Sequence, residues 1–131
     1  TSIASDGPMT VFGVGSPHPR TYGTFARVLG SYVRERNILS LEEAVRKMTS
    51  LPAQILSIKQ RGLIKEGYYA DIAIFDPKTI LDKATFEDPH QYAVGVISVI
   101  VNGEIVIDQG VHNGNKPGRV LRGPGYNGSN N

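Results

Sequence analysis

Asp6 stands at the end of a short run of small and apolar residues, 1–5, and directly before a loop dense in glycine and proline. A carboxylate in that place can be a metal ligand, a general base or both. Asp-Gly is also a common turn pair, in which the side chain does no chemistry. The loop closes on His18-Pro19-Arg20. Arg20 carries a planar fork suited to a bidentate grip on a carboxylate. His18 is open to three readings: metal ligand, acid–base group or solvated loop side chain. With no second histidine nearby, the metal reading is the weakest. Thr1 admits a different chemistry, that of an N-terminal nucleophile activated by its own amine; a processing cut explains the same residue. His90 and His112 lie far along the chain and are read as surface histidines. Tyr68, Tyr69, Asp71 and Asp76 are read as turn and strand-end residues.

These groups need elements to hold them. Residues 1–5 have the look of a strand, and Gly7, Pro8, Gly13, Gly15, Pro17 and Pro19 keep the next stretch irregular. Tyr22, Phe25, Val28, Leu29, Tyr32 and Val33 then recur with the period of one helix face. Ser40-Leu41-Glu42-Glu43 matches a capping box, in which hydroxyl and carboxylate satisfy two orphan amides. Pro52 suits a helix first turn. From residue 62 the period changes. Residues 70–77 read as a buried strand ended by Pro77. Residues 95–101 and 104–108 are β-rich runs joined by Asn102-Gly103, a hairpin signal because both positions accept positive φ. Residues 112–131 read as a loop or wrapping tail.

Helices and later strands are thus segregated, and the first strand has no partner in a sheet of later hairpins. It fits best as the last strand of a barrel, where catalytic groups sit at strand C-termini. Composition narrows the classes. The 131 residues carry a net charge of +2 with basic residues scattered, so neither nucleic acid nor an anionic membrane is expected as partner. The cysteine count of 0 excludes disulfides and thiolate ligands. Nothing assigns a compartment, and the cytoplasm is the default.

Three groups of residues together resemble one family. They are Ser5-Asp6-Gly7 with His18-Pro19-Arg20 and Gly23-Thr24-Phe25; Leu39 through Ala53; and Gly62 through Gly67 with Ala70 through Pro77. Phe86-Glu87, Val99 through Gly103 and Pro117-Gly118-Arg119 continue the pattern in order. It is similar to the end of the N-acyl-D-amino-acid deacylases, the D-aminoacylase branch of the amidohydrolase superfamily. The resemblance implies an α/β architecture: the C-terminal part of a metal-dependent (β/α)8 barrel, with strands of a small β-sandwich domain. Residues 1–60 would be the barrel end and 61–131 the C-terminal part of the small domain. It implies zinc-dependent hydrolysis of an N-acyl-D-amino acid. Asp6 would be the catalytic base and a possible weak metal ligand. Arg20 would hold the substrate carboxylate, with His18 beside it in substrate binding. The main zinc ligands would come from an N-terminal barrel portion outside this chain, its expected partner. Two other classes compete: a non-catalytic binding module that keeps a hydrolase tail, and a self-contained N-terminal-threonine hydrolase.

Overall fold

The structure is a computed structural model that describes residues 1–127; residues 128–131 of the expected tail lie outside the described residues. Helices come first and strands last. The helices are α1 (Arg20–Arg27), which runs into a wider π-helical spiral, Val28–Glu35, then α2 (Leu41–Met48) and α3 (Ser50–Ile55). The strands are β1 (Ile72–Phe75), β2 (Val96–Val101), β3 (Glu104–Asp108) and β4 (Val111–His112), in one antiparallel sheet of order β1-β2-β3-β4.

Local chemistry sets several of these bounds. Ser40 Oγ accepts the Glu43 amide at 3.2 Å and starts α2. The expected capping box is only half made. The Glu43 carboxylate turns forward to Arg46 Nε and Nη2 at 2.7 and 2.9 Å, a charged partner outcompeting a neutral amide. Asn102 and Gly103 take φ of 48° and 84° and turn β2 into β3, as expected. Asp76 ends β1 by accepting the Lys78 amide and the Thr79 hydroxyl.

Three expectations are corrected. Residues 1–5 form no strand: Ile3 donates its amide to the Lys47 carbonyl at 3.0 Å, onto the end of α2. A strand needs a ladder partner, and the only sheet among the described residues lies elsewhere in the chain. β1 is half exposed, not buried: Ala73 and Ile74, which point to opposite faces, are both exposed, while Ile72 and Phe75 are partly covered. The helical stripe is also displaced: Val28, Leu29, Gly30 and Ser31 are buried in succession, while Phe25 and Tyr32 are exposed. The π spiral accounts for the shift from Val28 onward, since Arg36 bonds back to Ser31, five residues earlier, and the added residue per turn rotates the buried face.

The core is thin. Ala26, Val28, Leu29, Ala44 and Ile80 form its buried centre, with Leu41, Val45, Met48 and Phe75 packed around it. Ile80 is 2% exposed, and its backbone passes between two glycines. A Cβ on Gly30 would stand 2.6 Å from the Ile80 carbonyl oxygen; one on Gly95 would stand 2.5 Å from the Ile80 Cα. Gly95 also has φ of 83°, where L-residues are strained. Gly95→Ala is therefore expected to destabilise by about 2–4 kcal/mol, overpacking and left-handed strain together. Gly30→Ala, with overpacking alone, should cost less. Thermal denaturation of both variants checks the order; equal melting temperatures would remove the close-approach argument.

Acid should weaken the α2 surface. The Arg46 hydrogen bonds hold the Glu43 carboxyl at about 2, below its ordinary 4.5, against an opposing desolvation and with help from Lys47. Asp76 is lowered too, first by the Lys78 amide and then by the Thr79 hydroxyl. For a lowered folded pKa, the stabilisation is complete above the unfolded value and disappears as pH falls through the folded one. Glu43→Gln should flatten the loss of stability between about pH 5 and about pH 2, read by urea midpoints at several pH values. An unchanged acid limb would show that the Glu43–Arg46 pair does not couple to folding.

Candidate active site

The loop between Asp6 and α1 carries the groups singled out from sequence, and the fold brings its two ends together. Asp6 takes φ of 49° at the head of the loop, a left-handed position that aspartate tolerates better than most residues. The Gly7 amide donates to Ser5 Oγ at 3.3 Å and braces that turn. Arg20, the first residue of α1, reaches back so that Nη2 stands 3.0 Å from Asp6 Oδ2. The Asp6 side chain is 86% exposed, so this pair is open to exchange with another anion.

His18 stands one residue before α1's cap, exposed. Its Nδ1 accepts the Arg20 amide at 3.0 Å, and its ring meets Phe86 edge-on at 4.9 Å between centroids. His18 thus orders the backbone of Arg20. A cleft of ≈ 330 Å³ opens here, bounded by His18, Arg20, Arg27, Asp82, Phe86 and Glu87. Its two arginines differ. Arg27 Nε is bound at 2.8 Å to Asp82, whose side chain is 8% exposed, so that charge is already matched inside the protein. Among the described residues the Arg20 guanidinium pairs only with the solvent-facing Asp6, which leaves it the cation suited to an incoming carboxylate.

Asp6 has the donor chemistry of a metal ligand, and its contact in this structure is with Arg20. Among the described residues no three His, Asp or Glu side chains converge to complete such a set. Thr1 is exposed, its carbonyl accepting from Lys47 Nζ at 3.2 Å. His112 is exposed, as expected.

His90 is not the surface residue expected from sequence. It is half-buried, and both ring nitrogens face the loop: Nδ1 lies 3.1 Å from the Gly13 amide and from the Tyr22 hydroxyl, and Nε2 lies 2.9 Å from the Gly15 carbonyl oxygen. Its loop partners are 75 and 77 positions away, so no local pattern could have marked it. Asp71 does more than end a strand. It pairs with Arg61, and its Oδ1 accepts the Asn102 amide at 2.8 Å, while Asn102 holds the Pro117 carbonyl at 2.6 Å. That network ties the hairpin and the start of the tail to the segment after α3.

A second, larger hollow of ≈ 1030 Å³ lies between the helices and the sheet. Leu41, Val45, Met48, Phe75 and Val96 line it, so it is an apolar face. Nearby Ile64 is 88% exposed.

The chain belongs to the amidohydrolase family, whose model matches residues 1–107. It is 49% identical over 105 residues to the D-aminoacylase of Alcaligenes xylosoxydans xylosoxydans, covering 80% of this chain and 22% of that protein. It is 44% identical over 122 residues to the N-acyl-D-aspartate deacylase of the same organism, covering 92% of this chain and 24% of that protein. A D-aminoacylase crystal structure superposes with a TM-score of 0.81 at 46% identity, over 87% of this chain and 23% of that one. The N-acyl-D-glutamate deacylase of Bordetella bronchiseptica, solved with zinc and a phosphonate that mimics the tetrahedral intermediate, superposes with a TM-score of 0.76 at 44% identity, over 82% of this chain and 22% of that one. The chain thus spans about a quarter or less of the length of these relatives. No helix among the described residues is long and apolar enough to cross a membrane.

Proposed function

We propose that this chain is the C-terminal part of a zinc-dependent deacylase of N-acyl-D-amino acids, with Asp6 as general base and Arg20 as the anchor of the substrate carboxylate. The observation that carries the reading is the Asp6–Arg20 pair, 3.0 Å apart and solvent-facing, beside an Arg27 already neutralised by Asp82. The relatives' names supply the substrate class. Residues 1–60 form the end of the catalytic barrel, and residues 61–131 the C-terminal part of the small β domain. The described helices all fall in the first part and the described strands all in the second, which supports that division. The preceding barrel portion covers the apolar hollow and brings the remaining metal ligands.

Zinc, when bound, supplies an electrophile and a water of lowered pKa. This chain's residues do the rest that can be assigned to it. Arg20 releases Asp6 and grips the α-carboxylate with its fork. That fixes the scissile amide relative to Asp6. The freed Asp6 carboxylate takes a proton from the attacking water and then delivers it to the leaving amine nitrogen, so the base is regenerated. His18 keeps the Arg20 backbone in place through its Nδ1 contact.

The test uses the complete enzyme, in which this chain is joined to the barrel portion that precedes it. N-acyl-D-amino acids should be cleaved to a carboxylate and a free amine, and the L-enantiomers poorly. Chelation should abolish activity and added zinc restore it. Cleavage that survives chelation would defeat the reading, as would cleavage restricted to substrates that lack an α-carboxylate.

A further inference from the structure

We infer that His90 is a positioning residue that clamps the loop between Asp6 and Arg20, and that the segment 86–92 serves as the scaffold of that loop. Three rings of the segment each take one part of the loop. Phe86 meets the ring of His18 edge-on at 4.9 Å, at the loop's end. Tyr92 stacks on Phe12 at 4.7 Å with an interplanar angle of 23°. His90 lies between them, with Phe12 at 5.5 Å edge-on, and engages the loop backbone through both nitrogens.

The hydrogen bonds determine how the ring is protonated. A backbone amide only donates, so the Gly13 N–H at 3.1 Å makes Nδ1 the acceptor. The proton then sits on Nε2, which donates to the Gly15 carbonyl at 2.9 Å. One neutral imidazole therefore holds two loop residues that flank Val14, in a stretch where Gly13 and Gly15 both take positive φ. Without such a tether, a loop containing these glycines has many accessible backbone states. Tyr22 extends the clamp: its hydroxyl lies 3.1 Å from His90 Nδ1 and 3.2 Å from Thr10 Oγ1. Tyr22 is in the first turn of α1, two residues after Arg20. The clamp thus joins the middle of the loop to the helix turn that carries the Arg20 guanidinium. Its function is to hold that guanidinium at a fixed distance from Asp6 before substrate arrives. Geometry set in advance in this way lowers the cost of binding.

The kinetic part of this inference rests on the deacylase reading; the structural part does not. In the complete enzyme, His90→Phe keeps a ring against Phe12 and Tyr92 and removes both loop bonds. Amide exchange by mass spectrometry should then speed up over residues 9–16, with β2 and β3 still protected. KM for an N-acyl-D-amino acid should rise roughly tenfold while kcat changes less, since an ill-placed carboxylate anchor chiefly weakens binding. His90→Gln, whose amide offers one acceptor and one donor, should recover part of both effects, and Tyr22→Phe should show a milder form of each. Unchanged exchange over residues 9–16 in His90→Phe overturns the clamp, whatever reaction the enzyme performs. Faster exchange with an unchanged KM overturns the positioning role. A wild-type enzyme inert towards N-acyl-D-amino acids defeats the deacylase reading instead, and the exchange result then decides the clamp by itself. If His90→Phe fails to fold, the same readouts on His90→Gln and Tyr22→Phe decide it.

Discussion

Asp6→Asn in the complete enzyme is expected to lower kcat by about 10²–10⁴-fold, the usual worth of a general base. The substitution is unusually clean. Asparagine shares aspartate's tolerance of the left-handed conformation, so φ of 49° at this position is kept without new strain. Its amide oxygen can still accept from Arg20, so the loop end stays where it is. What is lost is an oxygen that can take a proton from water. KM should change little, because on the proposed reading Arg20, not Asp6, holds the amino-acid carboxylate. Zinc content should also persist, since on the proposed reading Asp6 is at most one donor among several and the other ligands come from outside this chain. Steady-state kinetics with metal analysis on the same preparation reads all three. A variant that keeps normal kcat and shows only a raised KM would remove Asp6 as base and return Asp6-Gly7 to a simple turn.

Arg20→Lys is expected to act on the other constant. Lysine keeps the charge but replaces a two-pronged fork with a point donor. Losing one charge-assisted hydrogen bond costs about 1.5–3 kcal/mol, which corresponds to a KM raised by roughly 10–100-fold. Some fall in kcat should accompany it, because a loosely held carboxylate leaves the scissile amide misaligned. Stability should hardly move, since the Asp6–Arg20 contact is solvent-exposed and such pairs contribute little. The melting temperature is therefore the control that separates a binding defect from a folding defect. The two sites also touch, so their effects should not be additive: a double variant, Asp6→Asn with Arg20→Lys, should lose less than the product of the single losses. Normal kinetics in Arg20→Lys would take Arg20 out of the pocket and leave it a solvated loop residue.

Features encoded by near neighbours are legible in the sequence. Ser40 starts α2 because its hydroxyl and the amide it caps are three positions apart. Asn102-Gly103 turns a hairpin because both residues accept positive φ. The helices-then-strands order follows from a change of hydrophobic period, and Asp6, His18 and Arg20 stand out because their types are scarce and chemically specific. Family membership is legible for the same reason, in motifs that lie in order along nearly the whole chain.

Where sequence and fold disagree, the disagreements share a cause. The residues at 1–5 have strand composition, yet strand formation depends on a partner that composition cannot name, and here the amide of Ile3 finds the end of a helix. Glu43 fits a capping box until Arg46 competes for its carboxylate. The stripe that continues to Tyr32 presupposes a regular α turn, and the π spiral from Val28 shifts it.

By itself, then, the sequence determined what each segment can do: which turns close, where helices start, and which side chains own a proton-accepting or carboxylate-gripping group. Only the tertiary structure decided which of these groups meet. It set Arg20 against Asp6 across the loop, matched Arg27 to Asp82 at a separation of 55 positions, and brought His90 to Gly13 across 77. The physical reason is that capping and turn bonds form between near neighbours whatever the rest of the chain does. A contact between distant residues holds only where packing, here the core around Ile80, offsets the entropy of closing the long segments between them.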